Sequence, residues 1–142
     1  MNIINAVSGT GITQTADGSG QIKLQANGVT TNALAWATFG ATTAPSVTIA
    51  SSYNISSITR SSAGVYSANF TNQTSDANYA LIGSCNGGAT GLDYGIFGAY
   101  STSSPNSRTT SGCTITIGYI TSIGGASATN DHQNIAFAIF GN

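Results

Sequence analysis

The stretch from Ser46 to Phe70 constrains the fold more than any other part of the sequence, because apolar and polar residues alternate along it. Val47 and Ile49 alternate with small and hydroxyl-bearing residues, and the alternation resumes after the segment 61–64. A two-residue period bounded by turn-forming residues is the pattern of a strand with one buried face. The stretch therefore predicts two adjacent antiparallel strands, joined by a turn in which Gly64 can adopt a positive φ.

More stretches with the same period follow, and none has the periodicity of a helix. We predict strands over 78–84, 93–101, 110–122 and 134–140, with polar or glycine-rich turns such as Cys85–Leu92 between them. Both faces of 134–140 are apolar, which indicates a central strand or one between the core and a subunit interface. Many short strands at near-regular spacing predict an all-β chain, an antiparallel β-sandwich or jelly-roll-like knob.

Residues 1–34 differ from the rest of the chain, because they contain no large aromatic residue. Asp17-Gly18 and Asn27-Gly28 are hairpin turn signals, and the strands between such turns are too short to build a core of their own. We therefore divide the chain into an attachment and trimerisation segment, 1–34, and a β-sandwich knob domain, 35–142. An N-terminal extension folded onto its own domain remains the alternative.

The segment that joins these two parts contains the single tryptophan. Trp36 is flanked by small residues, and such a tryptophan near a domain entrance is commonly a buried core anchor. A platform on which a sugar ring stacks is the alternative for this residue. For Cys85 and Cys113 we expect two buried thiols that act as small apolar side chains, and a disulfide is left open.

Charged residues are scarce, with three Lys or Arg and four Asp in 142 residues. A chain with so few charges stays soluble through its hydroxyls and amides, or it hides surface in an assembly, and the second interpretation fits an obligate oligomer. The cations Lys23, Arg60 and Arg108 are far apart in sequence, so we expect no nucleic-acid partner. No apolar run approaches the roughly 18 residues of a membrane helix, and no secretion signal is recognisable, so we expect assembly in a cytoplasm and no membrane partner.

Reactive groups are equally few, which argues against an enzyme. Cleavage of a glycosidic bond needs two facing carboxylates, and Asp93 and Asp131 form the only plausible pair. His132, the single histidine, lies in a polar stretch and is interpreted as a surface residue. One histidine and two distant cysteines do not have the spacing of a metal site. We therefore predict no catalytic residue, no cofactor and no metal.

Two stretches resemble short proteins of bacteriophage virions. The run SYNISSITRSSAGVYSANF at 52–70, followed by DANY at 76–79, resembles a module of short fibre-like, tail-fibre and head-decoration proteins. The run from Ile4 to Gly28 resembles the opening of short structural proteins of the same group. Together the two stretches, 4–28 and 52–79, cover more than a third of the chain. The resemblance implies a homotrimeric β-structure located in the virion and assembled in the cytoplasm of the host bacterium.

Within this group, the length of the chain favours a capsid decoration (cement) protein, because a fibre that spans distance needs a shaft. Its partner would be the major capsid protein or another virion protein. The candidate contact residues are Ile3, Ile4, Val7, Ile12, Ile22 and Leu24. The alternative is the tip of a receptor-binding tail fibre or spike that recognises a glycan or protein of the host surface. The candidate receptor contacts are Tyr100, Asn106, Arg108 and His132. A bacterial adhesin or pilin-like subunit is a third possibility, against which the missing secretion signal counts.

Overall fold

The computed structural model describes residues 24–26, 29–43, 46–88, 94–98, 107–120 and 127–141. These ranges contain strands and connecting turns and no helix, so no helix within them could cross a lipid bilayer. The strands are β1 (Gln25–Ala26), β2 (Val29–Thr30), β3 (Ala35–Thr43), β4 (Ser46–Tyr53), β5 (Ile55–Ser62), β6 (Val65–Phe70), β7 (Ala80–Gly88), β8 (Tyr94–Phe97), β9 (Arg108–Thr109), β10 (Gly112–Ile120), β11 (Ser127–Thr129) and β12 (His132–Phe140).

Two antiparallel sheets form the body of the structure. One has the strand order β4-β3-β12-β7. The other is built around β10, which pairs with β6 and β9 through its first half and with β8 and β11 through its second half, while β5 pairs with β6. The prediction of an all-β chain with two antiparallel sheets, as in a β-sandwich, is confirmed.

Side chains from both sheets meet in one core. The ring of Phe39 packs edge-on against Tyr66 with 5.1 Å between centroids, and it packs against Phe137 in its own sheet at 6.3 Å. Such edge-to-face pairs stabilise a core beyond the area they bury. The buried hydrophobic residues of the two sheets are Ala35, Ala37, Phe39, Ile58, Val65, Tyr66, Ala68, Phe70, Cys113, Ile115, Ile117, Ile135, Phe137 and Ile139.

The alternation read from the sequence is confirmed in the strands that line this core. Tyr66, Ala68 and Phe70 on β6 are all buried, as their shared face predicts. Strand β12 lies between β3 and β7, which confirms the prediction of a central strand. On β10 both faces are covered at this point, since Thr116 is fully buried along with Ile115 and Ile117.

The stretch Ser46–Phe70 is the main correction to the predicted strands, because it forms three strands rather than two. Strands β4 and β5 belong to different sheets, and the chain crosses between the sheets at Asn54, whose φ is 56°. Asparagine tolerates this left-handed conformation better than most residues. Its side-chain amide donates to the carbonyls of Leu34 and Asn72, at 3.0 Å each, and its Oδ1 accepts from the Asn72 N–H at 2.8 Å. These bonds hold the crossing in place.

Two further boundaries differ from the prediction. The predicted turn at Cys85–Leu92 begins too early, because β7 continues to Gly88 by pairing with β12. Strand β8 ends at Phe97, where Gly98 adopts a φ of 79°, whereas the predicted strand runs to residue 101. Both cysteines are free, with Cys113 buried and Cys85 partly buried, so the expectation of unpaired thiols is confirmed.

The N-terminal part is described only from Leu24 onwards. Strands β1 and β2 pair with Ala26 opposite Val29, as the Asn27-Gly28 turn signal predicts. Leu34 is buried, and its N–H donates to the carbonyl of Ile139 at 2.9 Å, so this residue packs with the core of the knob. The division of the chain into 1–34 and 35–142 otherwise stays a prediction.

Candidate functional site

The outer face of the four-stranded sheet is the most distinctive surface of the structure, because its strands β3, β4, β7 and β12 contain no Asp, Glu, Lys or Arg. Their inner face packs on the core. On the outer face Thr38, Ser84 and Asn134 are exposed, and the side chain of Ile82 is 55 % exposed. A sheet face without charges is chemically suited to contact with an uncharged or apolar partner.

A groove runs along β12 on this face, because the outward residues Ala136 and Ala138 are small. The register places Ala138 between Trp36 on β3 and Ile82 on β7, and it places Ala136 between Thr38 and Ser84. Two cavities, of about 460 Å³ and about 580 Å³, lie here, and both are lined by Thr38, Ser84 and Ala136. They therefore form one continuous depression, which we call the β12 groove.

The two ends of the β12 groove differ in chemistry. One end is apolar and is lined by Trp36, Ala138 and Ile82. The other end is lined by amides and hydroxyls, among them Asn86, Asn134, Gln133 and Thr48. At this polar end the backbone of Gln133 approaches Gly40 closely, since a Cβ on residue 40 would lie 2.3 Å from the Gln133 carbonyl oxygen.

Trp36 is partly exposed in this groove, so its prediction as a buried core anchor is wrong. The alternation of β3 explains the difference. Ala35, Ala37 and Phe39 point into the core and are buried, which turns Trp36 to the opposite face. The alternative role of this residue, stacking on a sugar, remains a proposal.

Leu24, a predicted virion contact, lies beside the β1–β2 hairpin with its side chain 58 % exposed. Its backbone N–H donates to Oδ1 of Asn32 at 2.8 Å and its carbonyl accepts from the Thr31 N–H at 2.6 Å, so the exposed side chain is held at the base of a closed hairpin. The other predicted virion contacts lie outside the described residues; they are Ile3, Ile4, Val7, Ile12 and Ile22.

Of the predicted receptor contacts, Arg108 and His132 lie within the described residues. Arg108 is exposed at the start of β9, while Tyr100 and Asn106 lie outside the described ranges. His132 is 0 % exposed, so its interpretation as a surface residue is wrong. The reason is that β12 starts at His132, which pairs with Gly88 and is covered by the fold. Neither ring nitrogen has a hydrogen-bond partner within the described part of the chain.

Asp131, which precedes His132, is held by a dense set of hydrogen bonds. Arg60 Nε donates to both carboxylate oxygens at 3.0 Å, and Arg60 Nη2 donates to Oδ2 at 2.7 Å. The Tyr66 hydroxyl donates to Oδ1 at 2.6 Å, and the Gly64 N–H donates to the same oxygen at 2.9 Å. This carboxylate therefore joins β5, the following turn and β6 to the start of β12.

These contacts set the protonation of the cluster. Partial burial alone would raise the pKa of Asp131, but the hydrogen bonds from Arg60, Gly64 and Tyr66 outweigh it and lower the pKa below its usual value. Burial, together with the bond to Asp131, raises the pKa of the Tyr66 hydroxyl far above its usual value. Asp131 is thus held as an anion whose oxygens already accept several donors, which is the arrangement of a structural ion pair.

Other reactive groups are sparse in the part of the chain that the structure describes. No three residues among His, Cys, Asp and Glu lie close enough there to hold a metal ion. Burial raises the pKa of the Cys113 thiol to about 12, so this cysteine stays protonated and is a poor nucleophile. Asp93, the other member of the carboxylate pair considered above, lies outside the described residues.

The β12 groove was not predicted from the sequence, although the sequence of 134–140 contains a signal for it. The apolar outer face of 134–140 is made of alanines, and a central strand with small outward residues forms a trough between larger neighbours. Recognising the groove requires knowing that Trp36 and Ile82 lie on either side of Ala138, which follows only from the sheet order.

No protein-family model matches the chain, and neither a curated protein nor a solved structure shows significant similarity to it.

Proposed function

We propose that this chain is a structural protein of a bacteriophage virion, a homotrimeric capsid decoration (cement) protein that stabilises the head shell. Its mechanism is burial of apolar and uncharged surface against neighbouring subunits, which stabilises the assembled shell because the protein binds only that state. The resemblance of 4–28 and 52–79 to short virion proteins supports this proposal.

The uncharged four-stranded sheet is the observation that carries the proposal. A soluble domain has about a quarter of its residues charged, whereas here a whole sheet lacks charge and exposes Ile82 on its outer face. Ile82 lines one depression with Trp36 and Ala138, and a contiguous apolar patch on the surface of a protein marks a contact site. A protein of an assembly can bury such a surface against its neighbouring subunits. Among the described residues, no three of His, Cys, Asp and Glu lie close enough to hold a metal ion.

The proposal is tested by mixing the purified protein with phage capsids that lack it. We expect a trimer by light scattering, binding spread over the shell by electron microscopy, and a higher temperature of capsid disruption after binding. A chain that begins at Ala33 removes residues 1–32 of the predicted attachment segment and keeps Leu34 in the core. It should stay folded by circular dichroism and lose binding to the shell.

A point variant tests the predicted shell contact at Leu24, which lies within the described residues. Leu24→Ser changes an exposed side chain, so it should weaken shell binding without lowering the unfolding temperature. Thr59→Ala, an exposed residue of β5, serves as its control. A monomeric protein, or a shortened chain that still decorates capsids, would contradict the proposal.

The second candidate function is the receptor-binding tip of a tail fibre or spike, which the β12 groove favours. A cement protein needs no groove with a partly exposed tryptophan at one end and exposed amides at the other. Imaging of intact particles with the labelled protein separates the two candidates, since a cement protein covers the shell and a receptor-binding protein lies at the tail tip.

A further inference from the structure

We propose that the β12 groove is a binding site for a short, uncharged oligosaccharide. A sugar ring stacks against Trp36 at the apolar end, and hydroxyls of the following sugar bond to the amides at the polar end. The inference rests on the second candidate function, in which the chain is a receptor-binding tip. It gives that function a site that differs from the four candidate receptor contacts named from the sequence.

The charge of the groove defines the class of ligand. The four strands that form it contain no cationic or anionic side chain, and the ion pair of Arg60 and Asp131 involves the other sheet and the residue before β12. A sulfated, phosphorylated or sialylated ligand would lose hydration without gaining a counter-charge. A neutral ligand has no such cost.

The apolar end suits the ring of a sugar. Trp36 is partly exposed there, with Ile82 opposite and only Ala138 on the floor between them. One face of a pyranose presents C–H groups, which pack on an aromatic or aliphatic surface, while its hydroxyls stay at the rim. Tyr53 pairs with Trp36 on the neighbouring strand and extends the same end of the face.

The polar end supplies the directional bonds. Asn134 and Asn86 are opposite each other in the register of β12 and β7, and both are exposed. Their side chains form no hydrogen bond with any residue that the structure describes, so each offers a carbonyl acceptor and an NH₂ donor. Sugar hydroxyls, which both donate and accept, are complementary to amides of this kind.

The dimensions agree with a short chain of sugars. Asn134 and Ala138 are four residues apart on β12, so the two ends are separated by about 14 Å at the rise of an antiparallel strand. The two connected cavities, of about 460 Å³ and about 580 Å³, fall within the usual range for small-molecule sites. The groove is thus longer than a single sugar ring and open along its length.

Other occupants fit the groove less well. A second copy packed face to face would bury the amides of Asn134 and Asn86 at the polar end, which is unfavourable without new partners. An extended peptide would lie on the face of the sheet rather than at its edge, so its backbone N–H and C=O groups would find no strand to pair with.

The test is an array of neutral oligosaccharides built from hexoses and N-acetylhexosamines, with sialylated and sulfated counterparts, probed with the full chain. The affinity for each bound oligosaccharide is then measured by titration calorimetry. We expect binding to neutral members and no gain from the charged groups. Failure to bind any member, or binding only to anionic members, would overturn the inference.

Variants locate the site. Trp36→Ala should weaken binding at least tenfold, Trp36→Phe should restore part of it, and Asn134→Ala should weaken it about fivefold, the factor expected for one hydrogen bond. Ala136→Leu fills the floor of the groove without removing a polar group and should abolish binding. Thr59→Ala in the other sheet is the control and should bind as the unchanged protein does.

Folding of each variant is checked by its thermal unfolding. If Ala136→Leu folds and binds as tightly as the unchanged chain, the ligand lies elsewhere and the site is wrong. Concentration-dependent association that is lost in Ala136→Leu, without any glycan binding, would identify a second copy as the occupant instead. Imaging of intact particles is independent of these binding results. A location at the tail tip without glycan binding would overturn only the oligosaccharide site. A location on the head shell would reject the receptor-binding function itself.

Discussion

The hydroxyl of Tyr66 gives the sharpest test of how the two sheets are joined. Its ring is fully buried against Phe39, and its hydroxyl donates to Asp131 at 2.6 Å. Tyr66→Phe keeps the ring and removes only this bond. A hydrogen bond to a charged group contributes about 1.5–3 kcal/mol. Because the Asp131 side chain is 19 % exposed and water can replace the hydroxyl, we expect the lower end, about 1.5 kcal/mol.

Tyr66→Ala removes the ring as well. Large-to-small changes at buried aromatic residues cost about 3–5 kcal/mol, so with the lost bond the total is about 5 kcal/mol or more. That loss approaches the whole stability of many domains, about 5–15 kcal/mol, so this variant should be largely unfolded under mild denaturing conditions.

Urea unfolding at pH 7 and fixed protein concentration measures both effects, with the fluorescence of the single tryptophan as the signal. Tyr53→Phe is the matched control, since the Tyr53 hydroxyl has no hydrogen-bond partner among the described residues, and it should change the free energy of unfolding by less than about 0.5 kcal/mol. If Tyr66→Phe unfolds at the same midpoint as this control, the bond to Asp131 contributes nothing and the reasoning is refuted.

The remaining predictions concern two glycines at positive φ and the neighbouring residues Asp131 and His132. Gly64→Ala should lower the free energy of unfolding by about 3 kcal/mol or more, since the φ of 67° is unfavourable for alanine and its Cβ would lie 2.3 Å from the Ile117 carbonyl oxygen. Gly98→Ala, at an exposed positive φ, should cost only about 1–2 kcal/mol, and equal losses would contradict the packing argument. Asp131→Asn should destabilise most at pH 7. The pKa of Asp131 is lowered in the folded protein. Its contribution to the free energy of unfolding is therefore complete above its pKa in the unfolded chain, about 4, and is lost as the pH falls through its pKa in the folded protein. The gap between unchanged chain and variant should therefore close in acid, and a constant gap from pH 7 to pH 2 would count against an ionic role. His132→Phe should raise the free energy of unfolding by about 1 kcal/mol in calorimetry, because it removes two buried nitrogens that lack partners, and a clear loss would indicate a partner for the imidazole.

The sequence predicted the parts of the fold that depend on alternation within one strand. The inward faces of β6 and β12 follow from the two-residue period, and the turn at Gly64 follows from its glycine. Pairing over long distances was not predictable in the same way. Strand β7 extends to Gly88 only because β12 lies beside it, and a glycine-rich run alone reads as a turn.

The candidate site shows the same limit. The crossing at Asn54 was missed because an asparagine between two alternating runs leaves the period almost unbroken. The burial of His132 and the exposure of Trp36 depend on which face of a strand is covered, and neighbouring residues alone did not decide it. The ion pair of Arg60 with Asp131 joins residues 71 positions apart, which no local pattern indicates.

The central place of β12 also governs when the chain can fold. Strand β3 near the start of the knob and β7 in its middle are not paired with each other, and each pairs with β12. The four-stranded sheet therefore cannot close during synthesis until the residues up to Phe140 have left the ribosome. Strand pairings so distant in sequence make folding slow, because the entropy of closing a long loop is lost before the stabilising contacts form. Until then β3 and β7 expose uncharged, strand-forming segments, so the nascent chain is prone to aggregate and should fold better when it is made slowly, at low temperature.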